Sequence, residues 1–321
     1  MKYMLIQYKL IWISSILDYN RYLLQSQYFI FYLRNINLGD GNNYRLLIKT
    51  KVLYYIYFIN TMKAYIKDNK VIIPILEIHA SHNCNLKCES CSHYSNNGSG
   101  ENLKPEILDN QLTKWSEKIS PIVLKILGGE PFLNNKLEDV LKVCRRNFPN
   151  IKIELSTNGL LLTKVKFNFD CLNKLNVSLL ISIHCQEESY SNKMQEVFDF
   201  LNQLNVPFKK IESYKRWRRL HFVEDNTVIP FQDNLPRQSW NICLSKNYRQ
   251  LLDGSIYKCP QVAYINKIKI KIDEKFDIMK QYKPIAPESS LEEIRDFLNK
   301  EDEDICSMCP AKLYYFNKKI N

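Results

Sequence analysis

The chain has 321 residues, of which 45% are hydrophobic and 25% are charged. This composition predicts a globular protein rather than a disordered one, and the length suits one barrel-sized domain with a small appendage. Of the net charge of +11, residues 1–70 carry +7, so the remainder is only mildly basic. We therefore do not expect nucleic acid as a partner, whereas a mildly basic enzyme is compatible with an anionic substrate.

Ten cysteines occur in a chain whose first residues lack the basic, apolar and small-residue order of a secretory signal. In such a setting cysteines indicate metal binding or redox chemistry rather than a disulfide framework. We therefore expect a cytoplasmic protein that uses some of its cysteines for chemistry.

Residues 1–61 differ from the rest of the chain, because they are rich in tyrosine and contain neither cysteine nor histidine. Their longest uncharged runs are Tyr22–Leu33 and Val52–Met62, each shorter than the ~18 apolar residues of a membrane-spanning helix. We expect a helical N-terminal extension here. Translation that begins at Met62 is an open alternative, and an interfacial membrane helix is the less favoured one.

From Val71 the sequence alternates between continuous apolar runs and apolar residues at helical spacing. Strands separated by helices predict parallel βαβ units, whose loops gather at one end of the sheet. Runs that are apolar throughout predict strands covered by helices. The predicted strands are Val71–His79, Pro121–Leu127, Ile151–Thr157, Val177–His184 and Phe208–Ser213. The predicted helices contain Leu108, Leu112 and Trp115; Leu137, Val140, Leu141 and Cys144; Cys171, Leu172 and Leu175; and Val197, Phe198 and Leu201.

After residue 235 the pattern predicts a small module tied together by cysteines. Residues 248–253 and 255–259 are expected to form a hairpin with Gly254 at its turn. Ser290 and Glu293 have the spacing of a capping box that opens a helix.

The loop after the first predicted strand holds Cys84, Cys88 and Cys91. Three thiolates can surround one [4Fe–4S] cluster but leave one of its four irons without a protein ligand. This spacing resembles the radical SAM superfamily, and the resemblance implies that S-adenosylmethionine (SAM) binds the open iron through its amino and carboxylate groups. A zinc site is the alternative for these cysteines.

The ends of the next three predicted strands extend the resemblance. Each carries a glycine-rich or polar turn, and the carboxyl ends of barrel strands are where such folds gather their active sites. Glycines allow a backbone to approach a ligand closely. The residues that the resemblance implies for SAM binding are Gly128, Gly129, Glu130, Ser156, Asn158, Ser182 and His184. One departure is Ser90, since many family members place an aromatic residue directly before the third cysteine; His93 or Tyr94 is the expected substitute.

A second group consists of Cys243, Cys259, Cys306 and Cys309. Their spacing resembles the twitch module, a shortened relative of the SPASM domain. The resemblance implies a second [4Fe–4S] cluster, saturated by four cysteines and suited to electron transfer rather than to substrate binding. A structural zinc site with the same ligands is the alternative.

These resemblances imply an α/β protein with a partial (β/α)6 TIM-like barrel over residues 62–235 and a twitch-like auxiliary module over residues 236–321. They also imply an enzyme that cleaves SAM with one electron from a reductant such as flavodoxin or ferredoxin. The resulting 5′-deoxyadenosyl radical would abstract hydrogen from the substrate. The sequence identifies no catalytic residue.

Two substrate classes are compatible with these resemblances. One is a small carbohydrate-like molecule, such as a sugar or nucleotide sugar, and the other is a ribosomally made peptide. Peptide maturases often carry a winged-helix domain, and residues 1–61 lack its alternation of helix and β-ribbon. We therefore favour the small molecule over the maturase. A structural metal-binding protein without catalysis is the non-enzymatic alternative.

Overall fold

Residues 63–316 are described by a computed structural model, and the predictions for residues 1–61 lie outside this range. Within it the chain forms one main sheet and a smaller one. The strands are β1 (Tyr65–Lys67), β2 (Lys70–Ser81), β3 (Ile119–Gly128), β4 (Lys152–Thr157), β5 (Val177–Ile183), β6 (Phe208–Glu212), β7 (His221–Glu224), β8 (Thr227–Pro230), β9 (Tyr248–Leu252), β10 (Ser255–Tyr257) and β11 (Lys271–Ile272).

Helices separate the central strands, as the apolar spacing predicts. The α-helices are α1 (Pro105–Lys118), α2 (Leu137–Asn147), α3 (Asp170–Lys174), α4 (Glu188–Gln203), α5 (Pro236–Ile242), α6 (Pro260–Tyr264), α7 (Asp277–Lys280) and α8 (Leu291–Asn299). Within residues 63–316 we find no helix with both the length and the apolar character needed to span a bilayer.

The main sheet has the strand order β10-β9-β2-β3-β4-β5-β6, with β1 paired to β2. Neighbouring strands from β9 through β2 to β6 are parallel, while β10 and β1 run antiparallel to their partners. The predicted α/β fold with a mostly parallel sheet is therefore confirmed. This topology sends the loops after β2, β3, β4 and β5 to one edge of the sheet.

Strand β2 shows why the two faces of the sheet differ. Leu76 and Ile78 are buried in the main hydrophobic core together with helix residues such as Trp115. Glu77 and His79 alternate with them and are also buried, so side chains of opposite character occupy opposite faces of the strand. The face away from the main core is therefore polar near the carboxyl end of β2.

The predicted hairpin forms, and it joins the main sheet. Asp253 and Gly254 occupy its turn with φ values of 49° and 82°, as a two-residue hairpin requires. Strand β9 lies beside β2, and Trp115 Nε1 donates a hydrogen bond to Gly254 O at 2.8 Å. The sheet thus continues past the boundary that the sequence suggests at residue 235.

The capping box of α8 also forms, whereas the smaller sheet was not predicted. Ser290 Oγ accepts from Glu293 N at 3.2 Å, and the Glu293 carboxylate accepts from Ser290 N at 2.8 Å. Strands β7 and β8 meet at a turn of Asp225 and Asn226, both with positive φ, and β11 pairs with β8.

Candidate functional site

The loop that follows β2 holds the first three cysteines at the carboxyl edge of the sheet. Cys84 Sγ accepts a hydrogen bond from Leu86 N at 3.4 Å. Burial is the main cause that raises the pKa of Cys84 to about 12, and the N–H group of Leu86 acts to lower it. The charges of Glu130, Cys91 and Cys88 also raise this pKa. The three thiols are therefore electrostatic neighbours, and metal binding at Cys84 would release its proton.

The spacing of the cysteines bears on the kind of metal site they suit. Within residues 63–316, no three His, Cys, Asp or Glu side chains lie close enough to share a single metal ion. A cubane binds each thiolate to a different iron, so its ligands stand farther apart than the four ligands of one zinc ion. The two kinds of site are therefore told apart by metal analysis rather than by the types of their ligands.

The glycine turn after β3 packs directly against the cysteine loop. A Cβ atom on Gly129 would lie 2.1 Å from Asn83 O, and one on Gly128 would lie 2.2 Å from Ser81 O. Gly129 N donates to Ser81 O at 2.9 Å, and the next amide donates to Asn83 O at 2.8 Å. The two glycines therefore allow the close approach of the cysteine loop's own backbone.

Glu130 joins the turns after β3 and β4. Its carboxylate accepts from Thr157 Oγ1 at 2.7 Å, from Asn158 N at 2.9 Å and from Phe132 N at 3.2 Å. Burial raises the pKa of Glu130 to about 7, although these three hydrogen bonds act to lower it. Both carboxylate oxygens are thus engaged by the protein, and Glu130 orients the two turns.

Asn158 connects the turn after β4 to the cysteine loop. Its Nδ2 donates to Asn85 Oδ1 at 2.7 Å and lies 3.8 Å from Cys84 Sγ. Its Oδ1 accepts from Leu160 N at 3.0 Å. The side chain therefore holds the loop and places an N–H donor beside a candidate cluster ligand.

The remaining predicted SAM contacts lie at the ends of β4 and β5. Ser156 and Ser182 are half-buried, and within residues 63–316 their hydroxyls make no hydrogen bond, which leaves them available to a ligand. His184 N donates to Tyr190 Oη at 3.1 Å, and its ring stands edge-on to Trp217 with centroids 6.0 Å apart.

Ser90, which stands where many family members have an aromatic residue, connects the cysteine loop to the segment before β7. Its hydroxyl accepts from Leu220 N at 2.7 Å and from His221 N at 3.2 Å, and donates to His221 O at 3.2 Å. Trp217 Nε1 donates to Glu89 O at 2.9 Å. The small side chain thus joins the cysteine loop to β7 where an aromatic ring would not fit.

Tyr94, an expected substitute for the family aromatic, lies between the two cysteine groups. It is 2% exposed, and its ring contacts the buried ring of His221 with centroids 4.8 Å apart. Burial raises the pKa of Tyr94, and the thiols that raise it further are Cys309, Cys259 and Cys91. Its neighbours therefore come from both groups, which spacing in the sequence alone does not indicate.

The four C-terminal cysteines also come together. Cys243 follows α5, Cys259 precedes α6, and the other two lie in or after a short 3-10 turn, Asp304–Met308. Burial raises the pKa of Cys309, and the other three thiols raise it further. All four line one cavity of about 360 Å³. Among the described residues its lining includes no carboxylate but five cationic side chains, Arg218, Arg219, Lys246, Lys258 and Lys312.

A buried polar cluster lies on the face of β2 away from the main core, and the sequence did not predict it. Gln250 Nε2 donates to Glu77 at 2.7 Å, and His93 Nε2 lies 3.5 Å from the same carboxylate oxygen. The His79 ring stacks on Tyr264 at 3.7 Å, and its Nε2 has no hydrogen-bond partner within residues 63–316. Isolated histidines in the sequence gave no sign that they share one site.

Residues 78–222, a little under half of the chain, match the family model described as "Radical SAM superfamily". A probable GTP 3′,8-cyclase of Methanococcus aeolicus is 35% identical over 115 residues, which cover 33% of this chain and 37% of the relative. The FeMo cofactor biosynthesis protein NifB of Methanocaldococcus jannaschii is 30% identical over 130 residues, covering 37% and 42%. The chain thus spans less than half the length of these curated relatives.

Among solved structures, BtrN in complex with AdoMet and 2-DOIA is 16% identical, with a TM-score of 0.41 over 76% of this chain and 98% of that one. Native anSMEcpe with bound AdoMet and Cp18Cys peptide is 22% identical, with a TM-score of 0.33 over 43% and 42%.

Proposed function

We propose, from the premise that residues 78–222 form a radical SAM domain, that this protein is an enzyme that cleaves SAM reductively. In this proposal Cys84, Cys88 and Cys91 hold a [4Fe–4S] cluster whose fourth iron binds SAM. The observation that carries the proposal is the three-thiol loop itself, which Asn158 and the glycine turn fix at the carboxyl edge of the sheet.

When bound, the cluster supplies the electron that splits SAM into methionine and a 5′-deoxyadenosyl radical, which then takes hydrogen from the substrate. The chain's own residues hold the reactants and exclude water. Asn158 Nδ2 lies near Cys84 Sγ, where a donor disperses the negative charge of a thiolate. The open hydroxyls of Ser156 and Ser182 suit the polar atoms of SAM at the same edge.

We further infer that the substrate is a small, polar, carbohydrate-like molecule. The sequence supports this inference, since residues 1–61 lack the alternation of helix and β-ribbon of the winged-helix domain that peptide maturases often carry. A reductant such as flavodoxin or ferredoxin would supply the electron. Deuterium transfer from labelled sugars into 5′-deoxyadenosine tests the inference; transfer only from a precursor peptide would contradict it.

We also propose that the second cysteine group holds an auxiliary [4Fe–4S] cluster in a twitch-like module formed by residues 236–321. The four thiols around one cavity support this proposal, as does the cationic lining that suits an anionic centre. Anaerobically reconstituted protein should then hold about eight iron atoms. About four iron atoms together with one zinc would contradict the second cluster and leave the first in place.

The central test replaces one ligand of the first cluster. Cys88→Ala should abolish the formation of 5′-deoxyadenosine from SAM while about four iron atoms stay at the second site. Cys185→Ala is a matched control, because Cys185 also follows a strand of the sheet but belongs to neither cysteine group. Continued SAM cleavage by the Cys88 variant would refute the proposed site.

A further inference from the structure

Arg249 on β9 is a buried guanidinium whose bonding partners are neutral. It is 4% exposed, its Nη1 donates to Lys258 O at 2.7 Å, and its Nη2 donates to Leu298 O. Within residues 63–316, no carboxylate oxygen lies within ion-pair distance of it. Both of its partners are backbone carbonyls, which carry no net charge.

A buried cation of this kind needs an anion. Arginine stays protonated in proteins, and taking an unpaired charge out of water is strongly unfavourable. The neighbouring buried cation, Lys258, has its own counter-charge in Glu303. The charge of Glu303 also acts on Arg249, but Glu303 lies beyond ion-pair distance of it and is bonded to Lys258.

Two of the C-terminal cysteines, Cys259 and Cys243, are among the groups whose charge acts on Arg249. The carbonyl to which Arg249 bonds belongs to Lys258, the residue directly before Cys259. Burial lowers the pKa of Arg249, and the thiol of Cys259 is the largest influence in the opposite direction, ahead of Tyr282 and Glu303. Protonated thiols carry no charge, whereas four thiolates around a [4Fe–4S] core form an anionic centre.

We infer that Arg249 is the counter-charge of the auxiliary centre at Cys243, Cys259, Cys306 and Cys309, and that it raises the reduction potential of that centre. The inference rests on the proposed second cluster. Reduction adds one negative charge to the centre, so a fixed buried cation stabilises the reduced form more than the oxidised form.

The electron count gives this role a place in the reaction. Under the proposed function the substrate would give a hydrogen atom to the deoxyadenosyl radical, and the resulting substrate radical would pass one electron to the auxiliary centre and a proton to solvent. The substrate is thereby oxidised by two electrons, for example from an alcohol to a carbonyl. A centre with a raised reduction potential accepts that electron more readily. Arg249 therefore affects the reaction only through the auxiliary centre and does not touch the substrate.

The test is a redox titration of the full chain with both clusters bound, followed by electron paramagnetic resonance. Arg249→Gln should lower the midpoint potential of the auxiliary centre so that its reduced-to-oxidised ratio at a fixed potential falls at least tenfold, about 59 mV for one electron. Arg249→Lys should stay within that tenfold limit because it keeps the charge. The signal of the Cys84, Cys88 and Cys91 cluster should not move in either variant.

Arg145→Gln is the matched control. Arg145 also donates only to backbone carbonyls, including Leu175 O and Ile151 O at 2.8 Å each, but it is remote in sequence from both cysteine groups. It should lose stability with no change in either potential. An Arg249→Gln variant that behaves in the same way would show a merely structural role and overturn the inference.

Two further outcomes are distinguishable. Zinc in place of iron at the C-terminal site would overturn the second cluster and the role of Arg249 together, whereas eight irons with an unchanged potential would overturn the role alone. If the glutamine variant does not retain its auxiliary cluster, the lysine variant decides. If the reduced-to-oxidised ratio of the lysine variant at a fixed potential is then within tenfold of the wild-type ratio, the role of charge is supported. A larger fall in this ratio overturns it.

Discussion

Gly129 is the residue at which the glycine turn and the cysteine loop come closest. Its backbone is in a region open to any residue, so the effect of adding a methyl group is steric. Gly129→Ala would force Asn83 and Cys84 away by placing a Cβ atom 2.1 Å from Asn83 O. We expect a loss of about 1–3 kcal/mol of stability and of the iron held by the first cluster.

Iron analysis and urea unfolding measure this prediction, and Gly100→Ala is its control. Gly100 has φ +78°, and the nearest atom to an added Cβ is the flexible Lys269 Nζ at 3.6 Å. That change should cost roughly 1–2 kcal/mol of backbone strain and leave the iron content intact. Wild-type iron content in the Gly129 variant would show that the loop can shift at no functional cost.

Glu130 predicts a pH dependence of stability. Burial raises its pKa from 4.5 to about 7, so between these values the folded protein binds the proton more tightly than the unfolded chain. The free energy of unfolding should therefore fall as pH rises through this window, by about 3 kcal/mol at most. Glu130→Gln cannot titrate and should lack this fall.

Urea unfolding of the metal-free protein at pH 5 and pH 8 tests the difference between the two proteins. Equal losses in wild type and variant would exclude Glu130 as the source.

At the residue scale, the prediction of seven cysteine ligands rests on local spacing, because Cys84, Cys88 and Cys91 are close in sequence and the other four resemble the spacing of a known module. The partners of Glu130, Ser90 and Arg249 come from elements far along the chain, which spacing cannot reveal. The sequence therefore predicts candidate metal ligands, but it does not indicate which residues contact and orient the loops that carry them.

Helix α8 offers a test at the scale of single elements. Ser290→Ala removes the hydroxyl that accepts from Glu293 N and should cost about 1 kcal/mol of unfolding free energy. Ser289→Ala, one position earlier, removes a hydroxyl with no hydrogen bond within residues 63–316 and should cost little. Equal midpoints in urea for the two variants would mean that the cap contributes nothing.

The predicted strands and helices agree with the structure because buried strands are continuous apolar runs and amphipathic helices repeat their apolar residues. The turn at Asp225 and Asn226 carried a usable signal for β7 and β8, since both residue types tolerate positive φ. The pairing of β9 with β2 has no such signal in the sequence, because it joins strands about 170 residues apart through backbone groups alone.

At the scale of the whole molecule, we predict that a chain beginning at Met62 folds and cleaves SAM. Ala64 exchanges two hydrogen bonds with the Asn299 side chain, each of 2.8 Å, and residues 65–67 pair with β2. These contacts survive such a truncation, whereas a chain beginning at Val71 loses them and should unfold at lower urea concentration. Circular dichroism and 5′-deoxyadenosine assays decide, and failure of the Met62 chain to fold would make residues 1–61 integral.

The position of β9 has a consequence for how the two cysteine groups relate. Strand β2 runs directly into the loop of Cys84, and the hairpin of β9 and β10 runs directly to Cys259. Strands β2 and β9 are adjacent, with Ile78 opposite Leu251. The relative position of the two cysteine groups is therefore set by the register of this strand pair. Lengthening a connecting loop should leave this relative position unaltered. A shift of the β2–β9 pairing by one residue would instead move one cysteine group relative to the other by the rise of one residue along a strand.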